Sequence, residues 1–160
     1  MALQTVFLSR RWQKASTSME RFEALSGLVC AGYSIVGMEH LAVSALKELG
    51  VECESFVRSD GTLLSRNPEE LLNVFGLLIQ IKITLDLVKA KTPQLLLKRI
   101  AVMAPVLRSL RHGDGTLARF HGGGSGSEYF LDQTLAASGI RPTIPQDNAM
   151  GFSRVTSGAT

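Results

Sequence analysis

The segment that begins at Asn67-Pro68 constrains the fold more than any other part of the chain. Asn67 is a good helix N-cap, and Pro68 suits the first helical position because the amide proton that it lacks would have no partner there. Glu70 has the spacing for a capping box with Asn67, and acidic residues favour the positive end of the helix dipole. The helix that follows, to about Ala90, is apolar over most of its circumference: Leu71, Leu72, Val74, Phe75, Leu77, Leu78, Ile79, Ile81, Leu85 and Val88. Such a helix is buried on more than one side, so we expect a mainly α fold of packed helices.

Other segments with helical periodicity lie on both sides of this helix. Thr17 and Glu20 have the spacing of a capping box and predict the start of one of them. A cap followed by proline at Thr92-Pro93 predicts the start of another. The predicted helices are approximately residues 3–15, 19–36, 39–57, 93–110 and 128–137.

The chain divides into three parts. Residues 1–110 are mainly helical, with a loop at Arg58–Thr62, and residues 111–138 contain a glycine-rich turn, a short strand at about 116–121 and a helix. Residues 139–160 read as a linker with one strand at 149–155. A lone strand has no partner inside this chain, and its unpaired backbone groups predict self-association.

Composition excludes several classes of protein. A chain of 160 residues suits one domain, or one domain with a fragment of a second. Lys and Arg exceed Asp and Glu by 17 to 14, a surplus too small to indicate a nucleic-acid partner. No run approaches the roughly 18 apolar residues of a membrane span. Residues 1–19 are basic like a transit peptide but lack the apolar core of a secretory signal, so we interpret them as a first helix. The location stays unassigned, with the cytoplasm as the default. Cys30 and Cys53 are expected to be buried thiols, although a disulfide remains possible.

Few side chains have the pattern of a chemical site. His112, Asp114 and His121 are metal-ligating types, but their spacing matches no metal motif, so turn packing is favoured and no metal or cofactor is predicted. The glycines at 122–124 lack the following Lys-Ser/Thr of a phosphate-binding loop. Arg108, Arg111 and Arg119 either bind the carboxylate of an acidic sugar or are solvated near the negative end of a helix.

Several motifs together carry a family resemblance. They are Arg21–Val29, Asp60-Gly61 with Ser65–Leu72, Met103–Pro105 with Leu110–Gly115 and Leu117–Phe120, and Met150–Arg154 with Ser157-Gly158. In this order and spacing they resemble the heparinase II/III-like proteins of α-proteobacteria, from about Phe7 to Thr160.

This resemblance implies an incomplete α/α toroid of paired helices followed by a β-sandwich. It also implies a polysaccharide lyase that cleaves uronic-acid-containing glycans, such as glycosaminoglycans, by β-elimination. In that reaction a cationic or neutral group stabilises the uronate carboxylate, a base removes the C5 proton, and an acid protonates the leaving oxygen. The expected partner is an acidic polysaccharide, and the candidate substrate-binding residues are Arg66, Asn67, Arg111, His112, Asp114, Arg119 and His121.

The sequence departs from the family pattern at the catalytic positions. Where many members have Gly-His after the Asp-Gly loop, this chain has Thr62-Leu63, and Glu70-Leu71 stand in place of Tyr and His. The catalytic residues therefore stay unassigned. We expect a truncated lyase, ending at the first strand of the sandwich and inactive alone. The alternative is a non-catalytic helical module that binds an acidic glycan or a partner chain.

Overall fold

The computed structural model describes residues 1–142 and 148–155, and these residues are mainly helical. They form α1 (Ala2–Ser9), a 3-10 turn (Trp12–Lys14), α2 (Ser18–Ser34), α3 (Glu39–Phe56), α4 (Pro68–Leu87), α5 (Gln94–Ser109), α6 (Glu128–Ser138), β1 (Asn148–Ala149) and β2 (Phe152–Ser153). The mainly α fold class is confirmed. None of the helices in the described part of the chain has the length and apolarity needed to cross a bilayer.

The capping box predicted at the start of α2 is confirmed. Thr17 Oγ1 accepts a hydrogen bond from the Glu20 amide at 3.1 Å, and Glu20 Oε2 accepts one from the Thr17 amide at 3.0 Å. The backbone amides of Thr17 and Ser16 stabilise the carboxylate and lower the pKa of Glu20. The first helix is shorter than predicted: it ends at Ser9, whose hydroxyl bonds back to the Val6 carbonyl at 2.8 Å.

Helices α2 and α3 form an antiparallel pair. Near the turn between them, a Cβ atom on Gly32 would lie only 2.7 Å from the Cβ of Ala42, so a glycine allows this close approach. At the other end of the pair, Arg21 Nε donates to Glu52 Oε1 at 3.0 Å. The end of α3 therefore lies beside the start of α2, and α4 begins after the short loop that follows α3.

The helices lie in two layers. In one layer α4 packs between α2 and α6, and in the other α5 packs beside α3. Cys30 Sγ lies 3.5 Å from Thr84 Oγ1, late in α4, so α2 and α4 run in the same direction. From α2 to α6, helices alternate between the layers along the chain.

The same type of hairpin links the layers twice. It spans Val57–Leu63 between α3 and α4, and Arg111–Leu117 between α5 and α6, each as an isolated β-bridge. In both hairpins an aspartate accepts hydrogen bonds from the amide and hydroxyl of a threonine two residues later. The strand predicted at residues 116–121 is wrong, because the segment forms this hairpin and continues into a loop without a ladder.

The hydrogen bonds within each hairpin lower the pKa of its aspartate. For Asp60 the hydroxyl of Thr62 has the largest effect, and for Asp114 it is the amide of Thr116. Both carboxylates are therefore ionised acceptors within their own turns.

Helix α4 supplies much of the core, as its apolar sequence predicts. Its buried residues include Leu71, Leu72, Val74, Phe75, Leu78, Ile79, Ile81 and Leu85. Its last turns are less covered, since Leu87 is 78% exposed. On α3, Cys53 is completely buried, and desolvation raises the pKa of its thiol to about 12. Cys30 is partly buried, and neither cysteine forms a disulfide.

The single strand predicted at 149–155 is wrong. Strands β1 and β2 form an antiparallel hairpin in which Asn148 pairs with Ser153 and Ala149 pairs with Phe152. Each strand has a partner within the same segment, and Ala149 and Met150 are buried against the core. The remaining parts of the predicted tail, 143–147 and 156–160, with the Ser157-Gly158 motif, lie outside the described residues.

Candidate functional site

Five residues from three separate segments meet beside the start of α4. We call them the loop-end cluster: Arg66, Asn67, Phe120, His121 and Phe152. The Arg66 guanidinium lies 4.4 Å from the centre of the Phe152 ring, and that ring stacks on Phe120 with 3.8 Å between centroids. The His121 imidazole lies 6.0 Å from Phe152, ring centre to ring centre. The cluster contains three of the seven candidate residues predicted from sequence.

The Arg66 side chain is held in a fixed position by neutral acceptors. Its Nε donates to the Met150 carbonyl at 2.8 Å, and one terminal nitrogen donates to the Gly151 carbonyl at 3.2 Å. Neither acceptor is charged, and among the described residues no carboxylate pairs with this guanidinium. The second terminal nitrogen, Nη1, makes no hydrogen bond within the described part of the chain. A guanidinium held in this way is suited to an anionic ligand.

Asn67 joins the start of α4 to the glycine-rich loop. Its Oδ1 caps α4 by accepting from the amides of Glu69 at 2.9 Å and Glu70 at 3.2 Å. Its Nδ2 approaches the His121 carbonyl at 3.5 Å, the long limit for a hydrogen bond. The glycine at 123 lies so close that any Cβ there would overlap Asn67 Oδ1.

The capping box predicted for Asn67 and Glu70 is wrong in one of its two parts: the Asn67 side chain caps the helix, but the reciprocal bond is missing. No return bond from the Glu70 carboxylate is present, whereas the neighbouring Glu69 Oε2 accepts from the Gly124 amide at 2.7 Å. Glycines of the loop thus pack against the first turn of α4: Gly123 lies beside Asn67, and the Gly124 amide donates to Glu69. Their role here is close packing against α4.

We expect the Asn67→Ala variant to lose about 0.5–2 kcal/mol of unfolding free energy, because two amides at the start of α4 lose their acceptor. Asn67→Asp is the matched control, since its carboxylate keeps the acceptor and favours the helix dipole. Urea denaturation of the parent and both variants measures the effect. Equal midpoints for the parent and Asn67→Ala would contradict this account of the cap.

Arg111 lies outside the cluster and is already paired. It makes a two-point ion pair with Asp132 on α6, with distances of 2.7 and 3.1 Å, and lies 3.5 Å from Glu128. Its Nε donates to the Gly115 carbonyl at 3.2 Å. The two-point geometry considered for a sugar carboxylate is therefore used to brace the second hairpin against α6.

The remaining candidates are separate features of the second hairpin. His112 is exposed, and its backbone amide closes the hairpin by donating to the Thr116 carbonyl at 2.8 Å. Asp114 is occupied with Thr116, and Arg119 is exposed. Within residues 1–142 and 148–155, no three His, Cys, Asp or Glu side chains converge as a metal site.

Other arginines hold the C-terminal segment in place. Arg108 donates to the Ile140 carbonyl at 2.6 Å, and Arg154 donates to the Ser109 carbonyl, at the end of α5, at 3.1 Å. Desolvation lowers the pKa of Arg108. Arg108 was one of the cations considered for a sugar carboxylate, and its observed role is to hold the chain after α6.

Sequence reasoning did not single out the aromatic pair of the cluster. Phe120 and Phe152 occur within two of the motifs that carry the family resemblance, but neither motif indicates that the two rings meet. Their stacking depends on the C-terminal hairpin, which folds back onto the loop that follows the second hairpin.

Fold and cluster together define the class: a two-layered helical protein with a cationic and aromatic cluster beside the start of α4. Comparison of the chain with protein-family models, with curated proteins and with solved structures gave no match.

Proposed function

We propose that this chain is the helical part of a heparinase II/III-like polysaccharide lyase and that its loop-end cluster binds a uronic-acid-containing glycan. The observation that carries the proposal is the Arg66 guanidinium, which pairs with no carboxylate of the described residues and is held beside an aromatic stack and an imidazole. The alternation of helices between two layers supports it further, because an α/α toroid is built from paired helices.

The chemistry of the cluster suits binding better than cleavage. Arg66 offers a cation to a uronate carboxylate, and His121 supplies a group able to exchange a proton. Elimination also requires an acid for the leaving oxygen, and neither tyrosine of the chain belongs to the cluster. Tyr33 is on α2, and the Tyr129 hydroxyl on α6 accepts a hydrogen bond from Gln133. The chain by itself therefore binds the glycan without cleaving it.

We expect no unsaturated uronide when the 160-residue chain is incubated with heparin, heparan sulfate or alginate. Glu70 and Leu71 occupy the places where the resembled family has tyrosine and histidine, and no described residue replaces the phenol in the cluster. The ultraviolet absorbance of the 4,5-unsaturated product measures turnover. Sustained product formation would contradict the assignment of a binding role to this chain.

Binding by the cluster is tested with Arg66→Gln against Arg154→Gln. Each substitution removes one positive charge, so net charge is matched. Each also loosens the C-terminal hairpin, since Arg66 donates to the Met150 and Gly151 carbonyls and Arg154 donates to the Ser109 carbonyl. We expect only Arg66→Gln to weaken heparin binding, measured by calorimetry, and we expect added salt to weaken binding by the parent. Equal losses in the two variants would show that Arg66 does not contact the glycan.

A non-catalytic module is the second candidate function. The ion pair of Arg111 with Asp132 favours it, because a cation considered for substrate binding serves the fold instead. Self-association through the C-terminal strand also stays a prediction, and light scattering over a range of concentrations tests it. A glycan-binding module gives saturable binding without product in every assay above.

A further inference from the structure

A second concave surface lies between α2, α4 and α6, and no residue of the loop-end cluster lines it. We call it the inter-helix groove. Its volume of about 850 Å³ lies within the range of small-molecule sites, which often occur between helices. Nothing in the proposed function uses this groove.

The groove has an apolar base. Gly76 and Ile79 of α4 are buried there. The tip of the Phe130 ring of α6 points at Gly76, in the space that a side chain at Gly76 would occupy. Aromatic and aliphatic carbons together make this base apolar, which suits the C–H groups of a ligand.

Uncharged polar groups surround this base. Asn73 and Gln80 are exposed on α4 and lie two helical turns apart, about 10 Å along the axis. Gln133 on α6 donates to Tyr129 at 2.6 Å, which leaves its carbonyl oxygen as an acceptor. Among the described residues that line the groove, Glu23 on α2 is the one ionisable side chain, and none is a cation.

We infer that the inter-helix groove binds an uncharged glycosyl unit that carries an amide, of the N-acetylhexosamine type. The apolar base accepts the C–H face of the ring, while Asn73 and Gln80 can each donate to and accept from an acetamido group. Glu23 accepts hydrogen bonds from hydroxyl groups and repels a carboxylate or sulfate. This charge pattern is opposite to that of Arg66, so the two sites select different ligands.

The test is a calorimetric titration of the full chain with N,N′-diacetylchitobiose, comparing Gly76→Ala with Gly27→Ala. Both substitutions add one methyl group to a helix and raise helix propensity equally, but Gly76 is buried and Gly27 is exposed. At Gly27 the added carbon has only an ordinary contact, 3.8 Å from Leu8, whereas at Gly76 it displaces the Phe130 ring. We expect Gly76→Ala to weaken binding at least tenfold and Gly27→Ala to leave it unchanged.

A second pair keeps the test independent of any folding defect in Gly76→Ala. Gln80→Ala removes an amide at the edge of the groove, and we expect it to weaken binding about 2- to 10-fold, as for one lost hydrogen bond. Gln13→Ala, in the exposed 3-10 turn, is the matched control and should bind as the parent does.

A charge comparison completes the experiment. We expect chitobiose binding to be insensitive to salt. A glucuronate-containing disaccharide should bind the parent more weakly than chitobiose does, and Glu23→Gln should reduce this difference because it removes the repulsion. The inference is overturned if the parent shows no saturable binding up to the solubility of chitobiose, or if the paired variants bind equally. It is also overturned if light scattering shows a dimer that Gly76→Ala abolishes, since a second copy would then occupy the groove.

Discussion

The Gly61→Ala variant should lose about 2–5 kcal/mol of unfolding free energy, because two costs add at this position. Gly61 has a φ of +83°, and a left-handed backbone costs a residue with a Cβ about 1–2 kcal/mol. The new Cβ would also overlap the backbone of Val102 on α5, and overpacking costs about 1–3 kcal/mol. This glycine therefore sets how closely the first hairpin approaches α5.

Gly37→Ala separates the two costs. Gly37 has nearly the same φ, +85°, but a Cβ there would meet nothing within 4 Å. We expect it to lose only the cost of the left-handed backbone, about 1–2 kcal/mol. Urea denaturation at fixed temperature measures both variants, and equal losses would show that the hairpin does not press against Val102.

The Leu78→Ala variant should lose about 2–5 kcal/mol, since it removes a completely buried side chain from the centre of α4 and leaves a cavity. Leu87→Ala makes the same chemical change in the same helix at a position that is 78% exposed. We expect it to cost less than about 0.5 kcal/mol.

Thermal unfolding at two protein concentrations gives both values. A large loss for Leu87→Ala that grows with concentration would show that the last turns of α4 are covered by another molecule in solution. A small loss for Leu78→Ala would contradict the position of α4 in the core.

The positions of most helices are predictable because their signals are local. Thr17, Asn67 and Pro68 act within one turn of themselves, so the start of α2 follows from Thr17 and the start of α4 follows from Asn67 and Pro68. The return bond from Glu70 to Asn67 is absent, and the Asn67 amide lies 3.5 Å from Ser65 Oγ instead. The bond made by the neighbouring Glu69 is non-local, because its donor is the amide of Gly124, far along the chain. Sequence spacing carries no information about such a donor.

The candidate site was also predictable only in part. Arg66 and His121 were predicted as binding residues from motifs, and the structure brings them together, but their aromatic neighbours depend on the return of the C-terminal hairpin. The prediction of a single unpaired strand failed at Met150 and Gly151, which adopt positive φ angles of 55° and 75° and reverse the chain. Glycine indicates such a turn, whereas methionine gives no warning of one.

The reaction rate of the buried Cys53 thiol reports on local opening of the protein. With a pKa of about 12, very little thiolate exists at neutral pH, and the sulfur is sealed from reagents in the closed state. A thiol reagent can modify Cys53 only when α3 separates from its neighbours. The rate of modification therefore follows the population of opened molecules, and a ligand that stabilises the closed form slows it.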